Sequence, residues 1–307
     1  MAKVKVRRSS SESRARITIL SIILILVVAS IVSVELSKRW LYPDYYTYKS
    51  SKLTSQARIV QLSDLYGKSF GKQNKKLIDS IGILKPDIIA VTGDMLPAYA
   101  TETDVDALCD LLGQLKELVP NAPIFYALGD TENDYIAEYG NGLLKKLKDA
   151  GANVLECKYE DITIPNEIKP LELRIGGVYG DLNPGDVSYG KAQTFMNDFC
   201  FTDKVKILLT HDGKGLLNYG YISNWNVDLT LSGHTLGGIV RVPVFGGFFG
   251  IDGAYFSKYS KGKFDHDENG YKSSIVSAGL GTDREFPMRF NNLPDLVCVD
   301  MERDLTD

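Results

Sequence analysis

Five short apolar runs in this chain each end on a side chain that can bind a metal ion. The runs are IVQLSD, IIAVTGD, IFYALGD, ILLTH and LTLSGH, and their last residues are Asp64, Asp94, Asp130, His211 and His234. Each run has the length and composition of one buried strand. The loops that leave the carboxyl ends of strands in an open α/β sheet converge on one crevice, so we expect these five side chains to lie together. The pattern predicts an α/β fold with a metal site at one end of the sheet.

A single Asp or His at a strand end has an ordinary explanation, since Asp often caps the next helix and a lone His is usually structural. Five such residues, each at the end of a predicted strand, favour a shared metal site instead. Carboxylate oxygen and imidazole nitrogen suit Mn, Fe or Zn, and the absence of cysteine from the pattern argues against a structural zinc site. The third histidine of the chain, His266, is expected in a solvated loop.

The stretch from Ile17 to Val34 carries no charged residue. At about 1.5 Å of rise per helical residue it nearly spans a hydrocarbon core of roughly 30 Å, so we predict a single transmembrane helix. The residues before it are strongly basic, with Lys3, Lys5, Arg7, Arg8, Arg14 and Arg16 against Glu12. The positive-inside rule therefore predicts a single-pass protein of the cell membrane, with a cytoplasmic N-terminus and an extracytoplasmic main domain.

A cleaved signal peptide is the alternative interpretation of this stretch. The apolar run is long for a signal peptide, and its best small-residue cleavage site, at residues 28–30, is poor. Arg7-Arg8 would fit twin-arginine export, but its context is weak. We therefore favour an anchor and divide the chain into a basic cytoplasmic tail (1–16), a transmembrane anchor (17–36), a linker (37–56) and one large domain (57–307).

The chain beyond the anchor is acidic, and the whole sequence has a net charge of −4. This balance disfavours a nucleic-acid partner, because binding to the phosphate backbone requires clustered positive charge. The four cysteines show no CxxC spacing and allow three pairings if oxidised, and we expect free thiols. They are Cys109, Cys157, Cys200 and Cys298.

Strand and helix patterns alternate from residue 50 to residue 151. For example, the segment 104–118 places Leu108, Leu111, Leu112 and Leu115 on one face of a helix. Beyond residue 151 the predicted elements are short strands with little helix between them. This change predicts a second sheet packed against the first, with helices on the outer faces. The expected architecture is a layered α-β-β-α sandwich of two mixed sheets, preceded by one transmembrane helix.

The order of the motifs SD-x-Y, GD, GD-T-E, TH and GHT-x-GG resembles that of the calcineurin-like metallophosphoesterases, whose blocks run D-x-H, G-D, G-N-H-[DE], H and G-H-x-H. The resemblance extends from about Ala57 to Asp300. It is strongest to the membrane-associated bacterial branch of YkuE-type phosphoesterases, through GHTLGGIVRVPVFGG and the segment from Ser277 to Val297. Residues 57–307 are therefore identified as a metallophosphoesterase-like domain.

The resemblance implies a role for each strand-end residue. In the family two metal ions lie side by side, and Asp94 matches the carboxylate that bridges them. Asp64 matches a ligand of the first ion, and His211 and His234 match imidazole ligands of the second. Asp130 takes the place of the asparagine ligand and adds negative charge. The second site is thus complete, with Asp94 and His211 as the catalytic residues of its chemistry.

Three other positions depart from the family pattern. Tyr66 replaces the histidine of D-x-H, Thr131 replaces the histidine of G-N-H, and Leu236 replaces the last histidine of G-H-x-H. Tyr66 could act only as a weak phenolate ligand, Leu236 cannot coordinate, and Thr131 cannot serve as a general acid near neutral pH. These changes predict one divalent ion (Mn, Fe or Zn) rather than two, together with weakened chemistry.

Two functions remain open at this stage. The first is a membrane-anchored phosphoesterase that hydrolyses a phosphomonoester or phosphodiester, with a phosphorylated small molecule or lipid as substrate. The second is a catalytically silent relative that binds a phosphorylated ligand or an envelope partner. Arg289 lies in the segment that resembles the family's pocket side and is expected to face the substrate. Residues 245–259, rich in glycine and aromatics, are interpreted as a long surface loop, with a lid near the membrane as the alternative.

Overall fold

The N-terminal apolar stretch forms one long helix, α1 (Ser10–Arg39), in a computed structural model that describes residues 10–166, 169–179, 189–213, 216–217, 225–250, 253, 255–283 and 287–305. Within these residues, Ser13–Ser37 is the one helical stretch long and apolar enough to cross a membrane. Its large side chains point outward from the protein, and Leu24 is 63% exposed. The first nine residues of the predicted basic tail lie outside the described residues.

Six strands form the first sheet, in the order β1-β14-β2-β3-β4-β5. Their bounds are β1 (Tyr42–Ser50), β2 (Ala57–Leu62), β3 (Ile88–Thr92), β4 (Ile124–Ala127), β5 (Ala152–Val154) and β14 (Asp295–Arg303). All neighbours are parallel except β14 and β2, which run antiparallel. The prediction of a linker over residues 37–56 is wrong for residues 42–50, because they extend the sheet beyond β14.

Four helices cover the outer face of the first sheet. They are α2 (Lys75–Leu84), which follows a short 3-10 turn at Lys72–Asn74, α3 (Glu102–Leu118), α4 (Asp130–Tyr139) and α5 (Gly142–Asp149). As the spacing predicts, Leu108, Leu111, Leu112 and Leu115 of α3 are buried, and they belong to the apolar core between the helices and the sheet. Thr101 and Asp104 close the start of α3 as a capping box.

The second sheet has the strand order β12-β13-β9-β8-β7-β6. Its strands are β6 (Lys158–Ile164), β7 (Leu171–Val178), β8 (Val205–Thr210), β9 (Leu229–Ser232), β12 (Gly262–Asp265) and β13 (Ser273–Val276). Helix α6 (Tyr189–Phe199) covers its outer face. Between the two sheets lies a second apolar core, with Ile59 and Phe125 from one side and Ile207 and Leu231 from the other. The predicted α-β-β-α sandwich is therefore confirmed.

Several elements of the later half differ from the sequence prediction. Helix α6 and strand β6 were not predicted, and a short antiparallel pair, β10 (Val240–Val242) and β11 (Gly246–Phe249), lies outside both large sheets. Strand β11 occupies part of the segment 245–259 that was interpreted as a loop. His266 follows β12, where it is half-buried and its Nε2 lies 2.8 Å from Ser274 Oγ. All four cysteines are free, as expected.

Candidate metal centre

Four of the five predicted strand-end residues converge on one point. The ligand atoms of Asp94, Asp130, His211 and His234 all lie within 4.8 Å of one another. His211 Nε2 is 3.1 Å from Asp94 Oδ2 and 3.2 Å from His234 Nδ1, which in turn lies 3.2 Å from Asp130 Oδ2. Two carboxylates and two imidazoles at this spacing form a donor set that fits Mn, Fe or Zn.

Two glycines bring the loops after β3 and β4 into contact. A Cβ atom at Gly129 would lie 2.2 Å from the backbone nitrogen of Asp94, and one at Gly93 would lie 2.4 Å from the nitrogen of Gly129. Any larger residue would hold the loops apart. Asp94 (φ 52°) and His234 (φ 67°) follow their strands in the left-handed conformation, which turns each side chain toward the centre. The repeated Gly-Asp pairs of the sequence thus have a steric reason.

Glu132 is a buried part of the site that sequence reasoning did not identify. Its carboxylate accepts hydrogen bonds from the backbone N–H groups of Asp94 (2.9 Å), Met95 (2.8 Å), Leu96 (3.2 Å) and Gly129 (2.8 Å) and from the hydroxyl of Tyr126 (3.0 Å). Burial and the neighbouring Asp94 raise the pKa of Glu132, whereas the N–H donors of Gly129 and Leu96 lower it. The side chain therefore fastens the loop that carries Asp94 to the start of α4, which carries Asp130.

The ring of His211 is oriented by a backbone carbonyl. Its Nδ1 lies 2.7 Å from Thr92 O and donates to it, so Nε2 is left to face Asp94 and Asp130. Burial alone would lower the pKa of His211, but the charges of Asp94, Asp64 and Asp130 raise it well above 6.5. The His211 ring and the Asp94 carboxylate therefore stabilise each other across the 3.1 Å that separates Nε2 from Oδ2.

Asp94 is the most heavily engaged carboxylate of the centre. Its Oδ1 accepts the Thr131 N–H at 2.9 Å, and its Oδ2 accepts the Tyr66 hydroxyl at 2.7 Å. Burial alone would raise the pKa of Asp94, but His211 and these two donors hold it well below its ordinary value. Asp130 is more exposed, and the hydrogen bond to His234 lowers its pKa. Both side chains are therefore ionised and ready to bind a cation.

The position that matches the family's first metal is arranged differently. Asp64 is fully buried, and its two oxygens accept the backbone N–H of His234 at 3.1 and 3.2 Å. Burial raises the pKa of Asp64 to about 6. Burial likewise raises the pKa of Tyr66, which stays a neutral phenol that donates to Asp94. Leu236 is buried. Asp64 lies outside the four-residue group found among the described residues, and its Oδ2 also accepts a hydrogen bond from the Ser63 hydroxyl at 2.6 Å.

Arg289 is a buried cation close to this position. It is only 2% exposed, and among the described residues no hydrogen-bond partner contacts its three guanidinium nitrogens. Burial lowers its pKa to about 10, and the nearby carboxylates of Asp64 and Asp295 oppose that shift. A buried guanidinium with unused donors is costly unless something else binds it.

An open cleft of about 920 Å³ lies over the four-residue group. Its lining includes Asp94, Asp130, Thr131 and His234, together with the aromatic residues Tyr99, Tyr135 and Tyr139. Tyr135 and Tyr139 contact each other with ring centroids 4.7 Å apart. The volume is large for inorganic phosphate and leaves room for the organic part of an ester.

A bacterial metallophosphoesterase is similar to this chain over most of its length. No protein-family model matches the chain. The chain is 30% identical over 248 residues to the uncharacterized metallophosphoesterase YkuE of Bacillus subtilis (strain 168), and the alignment covers 80% of this chain and 79% of YkuE.

Solved structures with a related arrangement include GAP50, the anchor in the inner membrane complex of Plasmodium, and a dimetal phosphatase from Danio rerio. GAP50 is 14% identical with a TM-score of 0.45, covering 78% of this chain and 77% of its own. The dimetal phosphatase is 10% identical with a TM-score of 0.37, covering 73% of this chain and 87% of its own.

Proposed function

The chain belongs to the metallophosphoesterase family, and from that premise we propose that it is a membrane-anchored phosphoesterase that uses one divalent metal ion to hydrolyse a phosphomonoester or phosphodiester. The observation that carries the proposal is the convergence of Asp94, Asp130, His211 and His234 within 4.8 Å. A bound divalent ion would supply a nucleophilic hydroxide near neutral pH and positive charge for the phosphoryl oxygens.

The protein's own groups set the limits of the chemistry. Thr131 is buried, its N–H donates to Asp94, and its hydroxyl has no hydrogen-bond partner among the residues that the structure describes. A threonine hydroxyl cannot protonate a leaving group, and general acid help is typically worth about 10²- to 10⁴-fold. We therefore propose that esters with good leaving groups, such as aryl phosphates, are hydrolysed fastest.

We assign Arg289 to the phosphoryl group of the substrate. Its planar fork of donors matches phosphate oxygens, and within the described part of the chain those donors have no hydrogen-bond acceptor. Asp64 and Tyr66 lie within its electrostatic reach, and Tyr66 lines the cleft. A phosphorylated small molecule or lipid would satisfy the guanidinium at the edge of the centre. The acidic chain beyond the anchor gives no support for a nucleic-acid substrate.

Helix α1 supports the anchoring part of the proposal. It contains a 25-residue stretch long enough to cross a bilayer, and the residues before it are basic. The N-terminus would then lie in the cytoplasm, and the phosphoesterase domain would lie outside the cell membrane.

A catalytically silent relative is the second candidate, and one observation favours it. The Tyr66 hydroxyl donates a hydrogen bond to Asp94 Oδ2 at 2.7 Å and would compete with a metal ion for that oxygen, and the buried Leu236 offers no ligand atom. Such a protein would bind a phosphorylated ligand or an envelope partner in the cleft without hydrolysing it.

The two candidates differ in turnover and can be separated on the full chain in detergent micelles. We would measure bound metal by mass spectrometry and hydrolysis of aryl phosphate monoesters and diesters with added manganese. The phosphoesterase proposal expects one ion per chain and turnover that His234→Ala abolishes together with the ion. His266→Ala is the matched control, since His266 lies outside the centre. One ion without turnover would favour the silent relative, and no bound ion would refute the metal centre.

A further inference from the structure

A cluster of large apolar side chains projects into solvent from the β10–β11 pair and the chain that follows it. Val244 is fully exposed at the turn and Phe245 is 72% exposed, and the cluster continues through Phe248, Tyr255 and Phe256. We call these five residues the aromatic hairpin. Isolated exposed apolar residues are ordinary, but a contiguous group of this kind marks a surface that another apolar phase covers.

The aromatic hairpin is held in its outward conformation. Phe248 packs its ring against Tyr255 (5.5 Å between centroids) and Phe256 (5.1 Å), so the aromatic residues support one another. Val244 is a β-branched residue with φ 72°, an unfavourable conformation for its type. The turn therefore keeps its apolar tip in solvent at a conformational cost, which a partner surface would offset.

Asn291 links helix α1 to strand β10, which leads into the aromatic hairpin. The backbone N–H of Asn291 donates to Ser33 Oγ at 2.7 Å, and the Asn291 side chain donates to the carbonyl of Arg241 in β10 at 3.2 Å. Ser33 lies four residues before the end of the apolar stretch Ser13–Ser37, about 6 Å along the helix axis. Strand β10, from which the aromatic hairpin extends, thus lies near the level where α1 would leave a bilayer.

The same end of the protein carries the metal centre. Tyr42, just after α1, pairs with Asp295 at the start of β14. Strand β14 runs antiparallel to β2, so its start lies beside the end of β2 that leads to Asp64. Trp40, Tyr42 and Tyr45 are also exposed at this end. Aromatic side chains flank the exit of α1 on both sides, as they do at bilayer interfaces.

We propose that the aromatic hairpin rests in the interfacial layer of the bilayer that α1 crosses and holds the domain with its metal centre toward the lipid headgroups. The proposal rests on the membrane anchoring proposed above. Phe245, Phe248 and Phe256 would enter the boundary between headgroups and acyl chains, and the exposed Lys258 beside them would reach the phosphates. The cleft would then receive phosphate esters from the membrane surface.

The test is tryptophan fluorescence of the full chain reconstituted in vesicles whose lipids carry bromine at shallow or deep acyl positions. The two native tryptophans are replaced by Phe (W40F, W225F), and one tryptophan is introduced at a time. F245W reports the hairpin, L24W reports the span, and F201W is the control, because Phe201 is 87% exposed just before β8, at the opposite end of the second sheet.

The proposal expects F245W to lose fluorescence most in shallowly brominated lipid, L24W to lose it most in deeply brominated lipid, and F201W to lose none. Quenching of L24W without quenching of F245W would overturn the hairpin contact and leave the anchor intact. A blue shift of F245W without quenching by bromine would show burial against protein and would also overturn it. Absence of quenching at L24W would refute the anchoring and the inference together, whatever the outcome of the metal and turnover measurements.

Discussion

The five hydrogen bonds that converge on Glu132 predict that Glu132→Gln is strongly destabilising. Glutamine keeps the shape of the side chain but replaces one acceptor oxygen with an NH2 group. In one orientation this group would face the two N–H donors of Asp94 and Gly129. In the other it would face the three donors of Met95, Leu96 and Tyr126. Hydrogen bonds to a charged acceptor are worth roughly 1.5–3 kcal/mol each. The relief of repulsion with Asp94 offsets part of the loss, so we expect a net decrease of about 2–4 kcal/mol in the free energy of unfolding.

The assay is denaturant unfolding of the detergent-solubilised full chain, with bound metal measured on the same samples. The matched control is Glu117→Gln, which removes the same charge from an exposed site at the end of α3 and should change stability by less than about 0.5 kcal/mol. Glu132→Gln should also weaken metal binding, since it releases the loop of Asp94 from α4. A Glu132→Gln protein that unfolds within about 0.5 kcal/mol of the control would refute this account of how the site is assembled.

Two further predictions concern the same loops and their charges. Gly129→Ala would place a methyl group 2.2 Å from the Asp94 nitrogen and should lower both stability and metal content. Gly113→Ala in α3, with nothing within 4 Å, should instead raise the free energy of unfolding by about 0.5–1 kcal/mol. A stabilising Gly129→Ala would contradict the close-contact argument. The third prediction is that the metal-free protein loses stability as pH rises above neutral. The folded-state pKa of His211 is raised, so its contribution is complete below about 6.5 and disappears as the pH passes that raised pKa. Thermal melts in chelator across that range should show the decline in the wild type and a flatter profile in His211→Gln.

Much of the fold and of the centre could be predicted because the relevant signals are local in sequence. A buried parallel strand has a short run of apolar residues in its sequence. A polar residue that follows this run must lie at the strand's carboxyl end. Asp94, His211 and His234 follow from that rule alone. Asp130 follows as well, although it opens helix α4 rather than ending a strand.

The residues that were missed depend on contacts between distant parts of the chain. Glu132 looks like an ordinary acidic residue in the first turn of a helix, and only the approach of the loop after β3 surrounds it with donors. Its distance of three residues from Gly129 is the spacing of a capping box and was the one available signal. The hydrogen bonds from the His234 backbone N–H to Asp64 could likewise not be inferred from strand ends.

Strand β1 was missed for a different reason. Its sequence YPDYYTYKS contains proline, charge and several tyrosines, and exposed tyrosines after an apolar helix suggest an interfacial segment. Edge strands have this composition, because proline and charge discourage further pairing. Tyr48 is nevertheless completely buried and donates to the carbonyl of Tyr271 at 3.0 Å.

The position of β14 between β1 and β2 has a consequence for biosynthesis. Strand β14 separates these two early strands, since Val297 pairs with Gln61 of β2 and Cys298 pairs with Tyr45 of β1. It is nevertheless translated much later than either of them. Until then both early strands have an open hydrogen-bonding edge, and such long sequence separation slows folding. The newly made polypeptide would therefore stay incompletely folded, and exposed to chaperones and proteases, until this late segment inserts.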